Sequence, residues 1–168
     1  MRLEFPYSKR RLLPSFLAAL AMCFGILGLL VLVAGVGFWS LLAFLMLILA
    51  VALLLGSPLV SAHLLLPQAF HIRYGLVFRS IIPLDKIGYV HASEETPLRT
   101  GVYFSPAGRT IYITTEPRNL VAIGLKERRR FPGALWKSAD RIVLSVMKPE
   151  RLVSVLSRML GKDLLPPV

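Results

Sequence analysis

The side chains that could carry out acid–base or metal chemistry are few and lie far apart in the chain. Glu94 and Glu95 are adjacent in a loop-like stretch, so their carboxylates diverge instead of forming a catalytic pair. A zinc site needs closely spaced His, Cys or carboxylate ligands, and the chain offers three scattered histidines and one cysteine, Cys23. It contains no glycine-rich phosphate loop and no nucleophile motif. The sequence therefore predicts no enzyme activity, no metal site and no cofactor.

The main functional signal is a cluster of basic residues that follows a strand-like segment. The candidate residues for binding a lipid or a protein partner are Lys126, Arg128, Arg129, Arg130, Trp136 and Lys137. One interpretation is a solvated basic loop without a ligand. A second is contact with anionic lipid headgroups, in which each Lys or Arg contributes about 1 kcal/mol and Phe131 and Trp136 enter the interface. A third is an acidic protein partner.

The part of the chain before this cluster contains a long uncharged stretch. No Asp, Glu, Lys or Arg lies between Arg11 and Arg73. A helix crosses a hydrocarbon core in about 20 residues, so the stretch is long enough for two spans. We predict a transmembrane hairpin over residues 12–66, with helices at about 12–34 and 40–59 and a turn at 35–39. A retained membrane hairpin is a better interpretation than a cleaved signal peptide, because the apolar run continues far beyond a signal sequence.

The hairpin contains a helix-breaking cluster and a stripe of small residues. Gly56-Ser57-Pro58 is a helix-breaking cluster that leaves the end of the second helix ambiguous. A stripe of small residues runs down the first helix at Ala18, Ala21, Gly25 and Gly28. Such stripes allow close helix packing, either within the hairpin or with another membrane subunit or a second copy of the chain. The hairpin carries no charge, which argues against a stand-alone transporter or channel.

The distribution of charge predicts the orientation of the hairpin. Residues 1–11 carry four Lys or Arg against one acid, Glu4, and the chain after the hairpin is also basic. The connecting turn is uncharged. By the positive-inside rule, both flanks and both termini are expected in the cytoplasm of a bacterial plasma-membrane protein. The net charge of +11 also permits nucleic-acid binding, which we regard as a weaker alternative because the aromatic residues mostly lie in strand patterns.

The remaining chain alternates apolar and polar residues in short runs that are typical of strands. Seven strands are predicted, at residues 70–74, 76–82, 87–92, 101–105, 110–115, 119–125 and 141–146. His71 and His91 fall on sheet surfaces in this pattern, whereas His63 is expected at the membrane interface or packed. An amphipathic helix then runs from Pro149 to Gly161. We expect a cytoplasmic domain over 67–161, built as a bent sheet or partly open barrel capped by this helix, and a tail over 162–168.

One passage carries a resemblance to a known family. Gly75-Leu76-Val77-Phe78-Arg79 is followed by Ile82-Pro83-Leu84-Asp85-Lys86-Ile87 and then Val90. This passage resembles the bacterial pleckstrin-homology-like domains that follow paired transmembrane helices. The segments Tyr112-Ile113-Thr114 and Leu120-Val121-Ala122-Ile123 and the terminal helix fit the same layout. The resemblance implies a mainly-β (α+β) fold in a membrane setting and implies no catalytic residue.

Together these observations predict a non-catalytic integral membrane protein. Its cytoplasmic domain would act as a scaffold that binds protein partners or anionic headgroups, as an accessory subunit of a larger membrane complex. The alternative is a subunit of a membrane enzyme or transporter whose chemistry is supplied by partner chains.

Overall fold

The computed structural model describes residues 3–7, 12–34 and 37–161. It has two long apolar helices followed by an α+β region with two sheets, as the sequence predicted in outline. The helices are α1 (Leu12–Ala34), α2 (Phe38–Val51) and α3 (Pro149–Met159). The strands are β1 (Leu3–Phe5), β2 (His63–Leu65), β3 (Ala69–Tyr74), β4 (Phe78–Pro83), β5 (Ile87–Ser93), β6 (Gly101–Ser105), β7 (Thr110–Thr114), β8 (Leu120–Phe131) and β9 (Lys137–Ser145).

Helices α1 and α2 are both long and apolar enough to cross a membrane. The candidate spans are Leu12–Val33 with 22 residues and Phe38–Val60 with 23 residues. Almost none of either span is buried within the chain, so large apolar side chains cover their surfaces. Helix α2 begins at Phe38, two residues before the predicted start at residue 40. Gly35 and Val36 of the predicted turn lie outside the described residues, as does the predicted tail over 162–168.

The second span changes its helical geometry before it ends. A π-helical turn over Ala52–Gly56 follows α2, and a 3-10 turn over Ser57–Val60 completes the span. Pro58 lacks the backbone N–H that a regular α-helix would use, so the hydrogen-bond pattern must change around it. The break predicted at Gly56-Ser57-Pro58 is therefore real, but the chain continues in helical form to Val60.

Two short strands join the ends of this hairpin to each other. Strand β1 pairs antiparallel with β2, with Leu3 opposite Leu65 and Phe5 opposite His63. Both flanks of the helix pair therefore lie at the same end of it. The sequence assigned residues 1–11 to a basic flank and 12–66 to the hairpin, and neither strand was predicted. Each strand has only three residues, which is too short to display an alternating pattern.

The first sheet has four antiparallel strands in the order β1-β2-β3-β4. Its inner face carries Leu65, Phe70, Ile72 and Ile82, which are fully or almost fully buried. Strand β4 starts at Phe78, two residues later than predicted, because Gly75 takes a left-handed φ of +55° and the three-residue turn extends through residue 77. Only glycine adopts this φ without a steric cost from a Cβ atom.

The second sheet has five strands in the order β5-β8-β9-β7-β6. Its pairs are antiparallel except for β7 and β9, which run parallel. Strand β8 continues six residues beyond its predicted end at residue 125, through the basic cluster, and β9 begins four residues before its predicted start at residue 141. The two strands therefore extend past the rest of the sheet as a hairpin.

A shared core joins the two sheets and α3. Phe70, Ile123 and Ile142 belong to one cluster of buried side chains, which α3 completes with Leu152 and Leu156. The predicted amphipathic helix is therefore confirmed, with Leu152 and Leu156 buried and Met159 exposed. A single bent sheet or partly open barrel of seven strands was predicted; the described residues form two sheets with nine strands, and no closed barrel is seen among them.

Candidate functional site

The predicted basic cluster lies on a strand and not in a loop. The side chains of residues 126–130 are all exposed, although they belong to β8. The pairing of β8 with β9 shifts register between Gly124 and Arg129, and resumes with Arg129 opposite Ala139 and Phe131 opposite Lys137. Pairing of β8 with β5 ends at Leu125, so residues 126–130, which we call the basic segment, have no partner in β5.

Four of the six candidate residues have cationic side chains that bind no other described residue. Within the part of the chain that the structure describes, Lys126, Arg128, Arg130 and Lys137 make no side-chain hydrogen bond or ion pair. Arg129 differs, because its Nη1 donates to the carbonyl oxygen of Ile81 at 2.7 Å. Arg129 therefore connects the basic segment to β4, the edge strand of the first sheet.

An apolar turn lies at the end of the β8–β9 hairpin. A 3-10 turn over Pro132–Ala134 leads to Leu135 and Trp136, which are 85% and 70% exposed. Both adopt left-handed backbone conformations, with φ of 53° and 59°. Such conformations cost a non-glycine residue about 1–3 kcal/mol, so the fold retains two large apolar side chains in solvent at an energetic cost. Trp136, a predicted lipid- or partner-binding residue, is therefore accessible at the surface.

Phe131 does not share that exposure. Its side chain is fully buried and its ring stacks on Phe78, with ring centroids 6.3 Å apart. Gly133 also packs against Phe78, where an added Cβ would lie 2.8 Å from Cδ2 of the ring. The prediction that Phe131 enters the interface is therefore wrong. Its inward direction follows from its pairing at the end of β8, which the sequence did not reveal.

The β3–β4 turn packs against the end of the second candidate span. The backbone N–H of Leu76 donates to Ser57 Oγ at 3.0 Å. Gly75 approaches so closely that an added Cβ would lie 2.8 Å from the backbone nitrogen of Pro58. Tyr7 adds a third contact, because its side chain is buried and its hydroxyl donates to the carbonyl of Arg73. We call this set of contacts the hairpin joint; sequence analysis did not find it.

Four exposed apolar residues lie on two neighbouring turns near the hairpin joint. Leu76 and Val77 are 54% and 44% exposed on the β3–β4 turn. Phe78 follows Val77 directly and packs on Gly133 of the β8–β9 turn, so the two turns are adjacent. We call Leu76, Val77, Leu135 and Trp136 the apolar rim. The turn that carries Trp136 is therefore adjacent to the turn that carries Leu76 and Val77, which the sequence had assigned to a strand.

The histidines do not form a metal site. Across residues 3–7, 12–34 and 37–161, no group of three or more His, Cys, Asp or Glu side chains could hold a metal ion. His63 is fully buried, with its Nδ1 accepting from the N–H of Arg73 at 3.3 Å and its ring edge-on to Tyr7. Burial lowers the pKa of His63 to about 3, so the side chain is neutral and structural.

The acidic pair also has a structural role. Glu95 accepts a hydrogen bond from the Tyr112 hydroxyl at 2.9 Å and pairs with Arg141 at 2.6 Å, whereas Glu94 is exposed. Burial and the neighbouring Glu95 carboxylate raise the pKa of Tyr112 to about 12. The two glutamates therefore have different surroundings, which agrees with the expected divergence of their side chains.

No protein-family model, curated protein or solved structure matches this chain. The functional argument therefore rests on the geometry of the hairpin joint, the apolar rim and the basic segment.

Proposed function

We propose that this chain is a non-catalytic integral membrane protein. Helices α1 and α2 cross the bacterial plasma membrane, and a pleckstrin-homology-like domain lies at its cytoplasmic surface as a scaffold. This domain contacts the bilayer through the apolar rim. It binds anionic lipid headgroups through the basic segment of β8 and through Lys137 of β9.

The hydrogen bond between Leu76 and Ser57 carries this proposal. Ser57 lies three residues before the end of the second span at Val60. With a rise of about 1.5–2.0 Å per residue, this is roughly 5 Å inside the end of the span. If α2 crosses a bilayer, Leu76 is at the depth of the interface. The adjacent turn with Leu135 and Trp136 lies beside it, where tryptophan is favoured.

The composition of the β8–β9 hairpin supports the same placement. An exposed Leu and Trp next to unpaired cations is the combination that binds interfaces, since apolar burial and electrostatic attraction add. Lys126, Arg128, Arg130 and Lys137 would each contribute about 1 kcal/mol near an anionic surface. The membrane anchor also keeps the domain at high local lipid concentration, so weak contacts are populated.

The position of the two flanks supports a cytoplasmic domain. Pairing of β1 with β2 places the N-terminal strand and the domain at the same end of the helix hairpin. Most of the basic residues, which give the chain its net charge of +11, belong to these flanks. Under the positive-inside rule this arrangement favours the cytoplasm for both.

The test uses the two tryptophans of the chain. Trp39→Phe leaves Trp136 as the single tryptophan of the full-length protein, which is reconstituted in vesicles containing phosphatidylglycerol and brominated phosphatidylcholine. We expect bromines near the headgroup to quench Trp136 more than bromines deep in the acyl chains. Trp136→Phe is the matched control, because it reports only Trp39 at the other end of the hairpin.

A second arm tests the basic segment. Replacing Lys126, Arg128 and Arg130 with Ser in the Trp39→Phe background should reduce both Trp136 quenching in anionic vesicles and its dependence on salt. If Trp136 is quenched as weakly as a water-soluble indole in all vesicles, the proposal is contradicted. An acidic protein partner would then explain the basic segment better.

A further inference from the structure

Two arginines lie opposite each other on the outer face of the first sheet. Arg73 on β3 and Arg79 on β4 are register partners, and both are exposed. Facing partners in an antiparallel pair have Cβ atoms about 4.5–5.5 Å apart, and like charges in this position are destabilising. The pair therefore favours an anion between or beside its guanidinium groups.

A small cleft beside the hairpin joint contains this pair. Its walls include Val60, Ser61 and Gly75, together with Glu4 from β1. Among the described residues that line the cleft, Glu4 carries one negative charge and the two arginines carry two positive charges, a formal charge of +1. A phosphodiester, which carries a single negative charge, balances this excess.

The cleft has a polar end and an apolar end. Val60 is 88% exposed and is the last residue of the second span, so its side chain faces the surroundings of α2. Ser61 follows immediately, but its hydroxyl donates to the carbonyl of Ser57 at 2.8 Å and is already used. The available donors for an anion are therefore the guanidinium groups of Arg73 and Arg79, which can bind phosphate oxygens in pairs.

We propose that this cleft is a specific binding site for one anionic phospholipid. The phosphodiester binds between Arg73 and Arg79, and the acyl chains extend past Val60 along the surface of α2. The inference rests on the proposed membrane position of the hairpin. The site is separate from the basic segment of β8, because it lies on the outer face of the other sheet and holds a single lipid.

The experiment measures lipid retained by the full-length protein in mild detergent. Native mass spectrometry counts phosphatidylglycerol bound during a titration of wild type, Arg73→Gln/Arg79→Gln, and Arg118→Gln, an exposed arginine on a distant loop. We expect one saturable lipid on wild type and on the control. The double variant should bind about 25-fold more weakly, since each arginine near an anionic lipid accounts for roughly a five-fold change.

Two further arms identify the source of the anion. An excess of inorganic phosphate should displace little phosphatidylglycerol, because phosphate lacks the acyl chains that contact Val60. Bound phosphate without bound lipid would overturn the proposal in favour of a free anion. Arg73→Lys/Arg79→Lys keeps both charges and should retain intermediate affinity. Equal lipid binding by wild type and the Gln double variant would also overturn the proposal.

This result is separable from the test of the proposed function. The Gln double variant should keep the Trp136 quenching of its parent, because the apolar rim and β8 are unchanged. If the Gln double variant loses the specific lipid but keeps Trp136 quenching, the cleft is supported. If the parent binds the specific lipid but shows no Trp136 quenching, only the interfacial docking of β8 and β9 is contradicted.

Discussion

Replacing Gly75 with Ala should break the hairpin joint without altering the transmembrane helices. The residue has a φ of +55°, where a Cβ costs about 1–2 kcal/mol. The new Cβ would also lie 2.8 Å from the nitrogen of Pro58 and 2.9 Å from its Cδ, inside the usual contact distance of about 3.5–4.0 Å. The turn must therefore move away from the end of the second span.

The magnitude follows from these separate effects. Moving the turn lengthens or breaks the hydrogen bond from Leu76 to Ser57 Oγ, which is worth about 0.5–1.5 kcal/mol. Together with the backbone cost, the free energy of unfolding of the domain should fall by about 1.5–3.5 kcal/mol. Gly161→Ala is the matched control: its φ is +63°, and nothing lies within 4 Å of an added Cβ. It should lose about 1–2 kcal/mol at most.

Pulse proteolysis with thermolysin in urea measures this difference on the full-length protein in detergent micelles. Ser57→Ala should lose about 1 kcal/mol alone, and combined with Gly75→Ala it should cost less than the sum of the two single changes, because both act on one contact. If Gly75→Ala and Gly161→Ala lose the same stability, only backbone strain matters, and the close approach of the turn to the span is refuted.

Two further predictions concern the sheet domain. Burial keeps the pKa of His63 near 3, below its unfolded value of about 6.5, so the unfolded chain binds one more proton between these values. The contribution of His63 to the free energy of unfolding should be complete above about pH 6.5 and should fall by about 1.4 kcal/mol per pH unit below it. His63→Gln should flatten this slope in urea unfolding at pH 5–7. An unchanged slope would be evidence against a buried neutral imidazole. Phe131→Ala should cost about 3–5 kcal/mol and Trp136→Ala less than about 0.5 kcal/mol in detergent, because only Phe131 is buried; equal losses would be inconsistent with this packing.

The sequence by itself determined the elements whose signal is local. The uncharged stretch between Arg11 and Arg73 predicted two long apolar helices, because span length and composition are properties of consecutive residues. Alternation located the positions of most strands, and the three- and four-residue spacing located α3. The five basic candidate residues were likewise identified by charge alone, and their exposure in β8 and β9 agrees with that signal.

Tertiary structure decided how these elements combine. Strands β1 and β2 exist only because Leu3–Phe5 and His63–Leu65 meet across a helix hairpin, and a three-residue strand has no local signature. The division into two sheets, the inward direction of Phe131 and the facing pair Arg73 and Arg79 all depend on register. Register is set by long-range pairing that no short window of sequence contains. The candidate surfaces arise from these pairings, since the contact of Phe78 with Gly133 brings together the two turns that form the apolar rim.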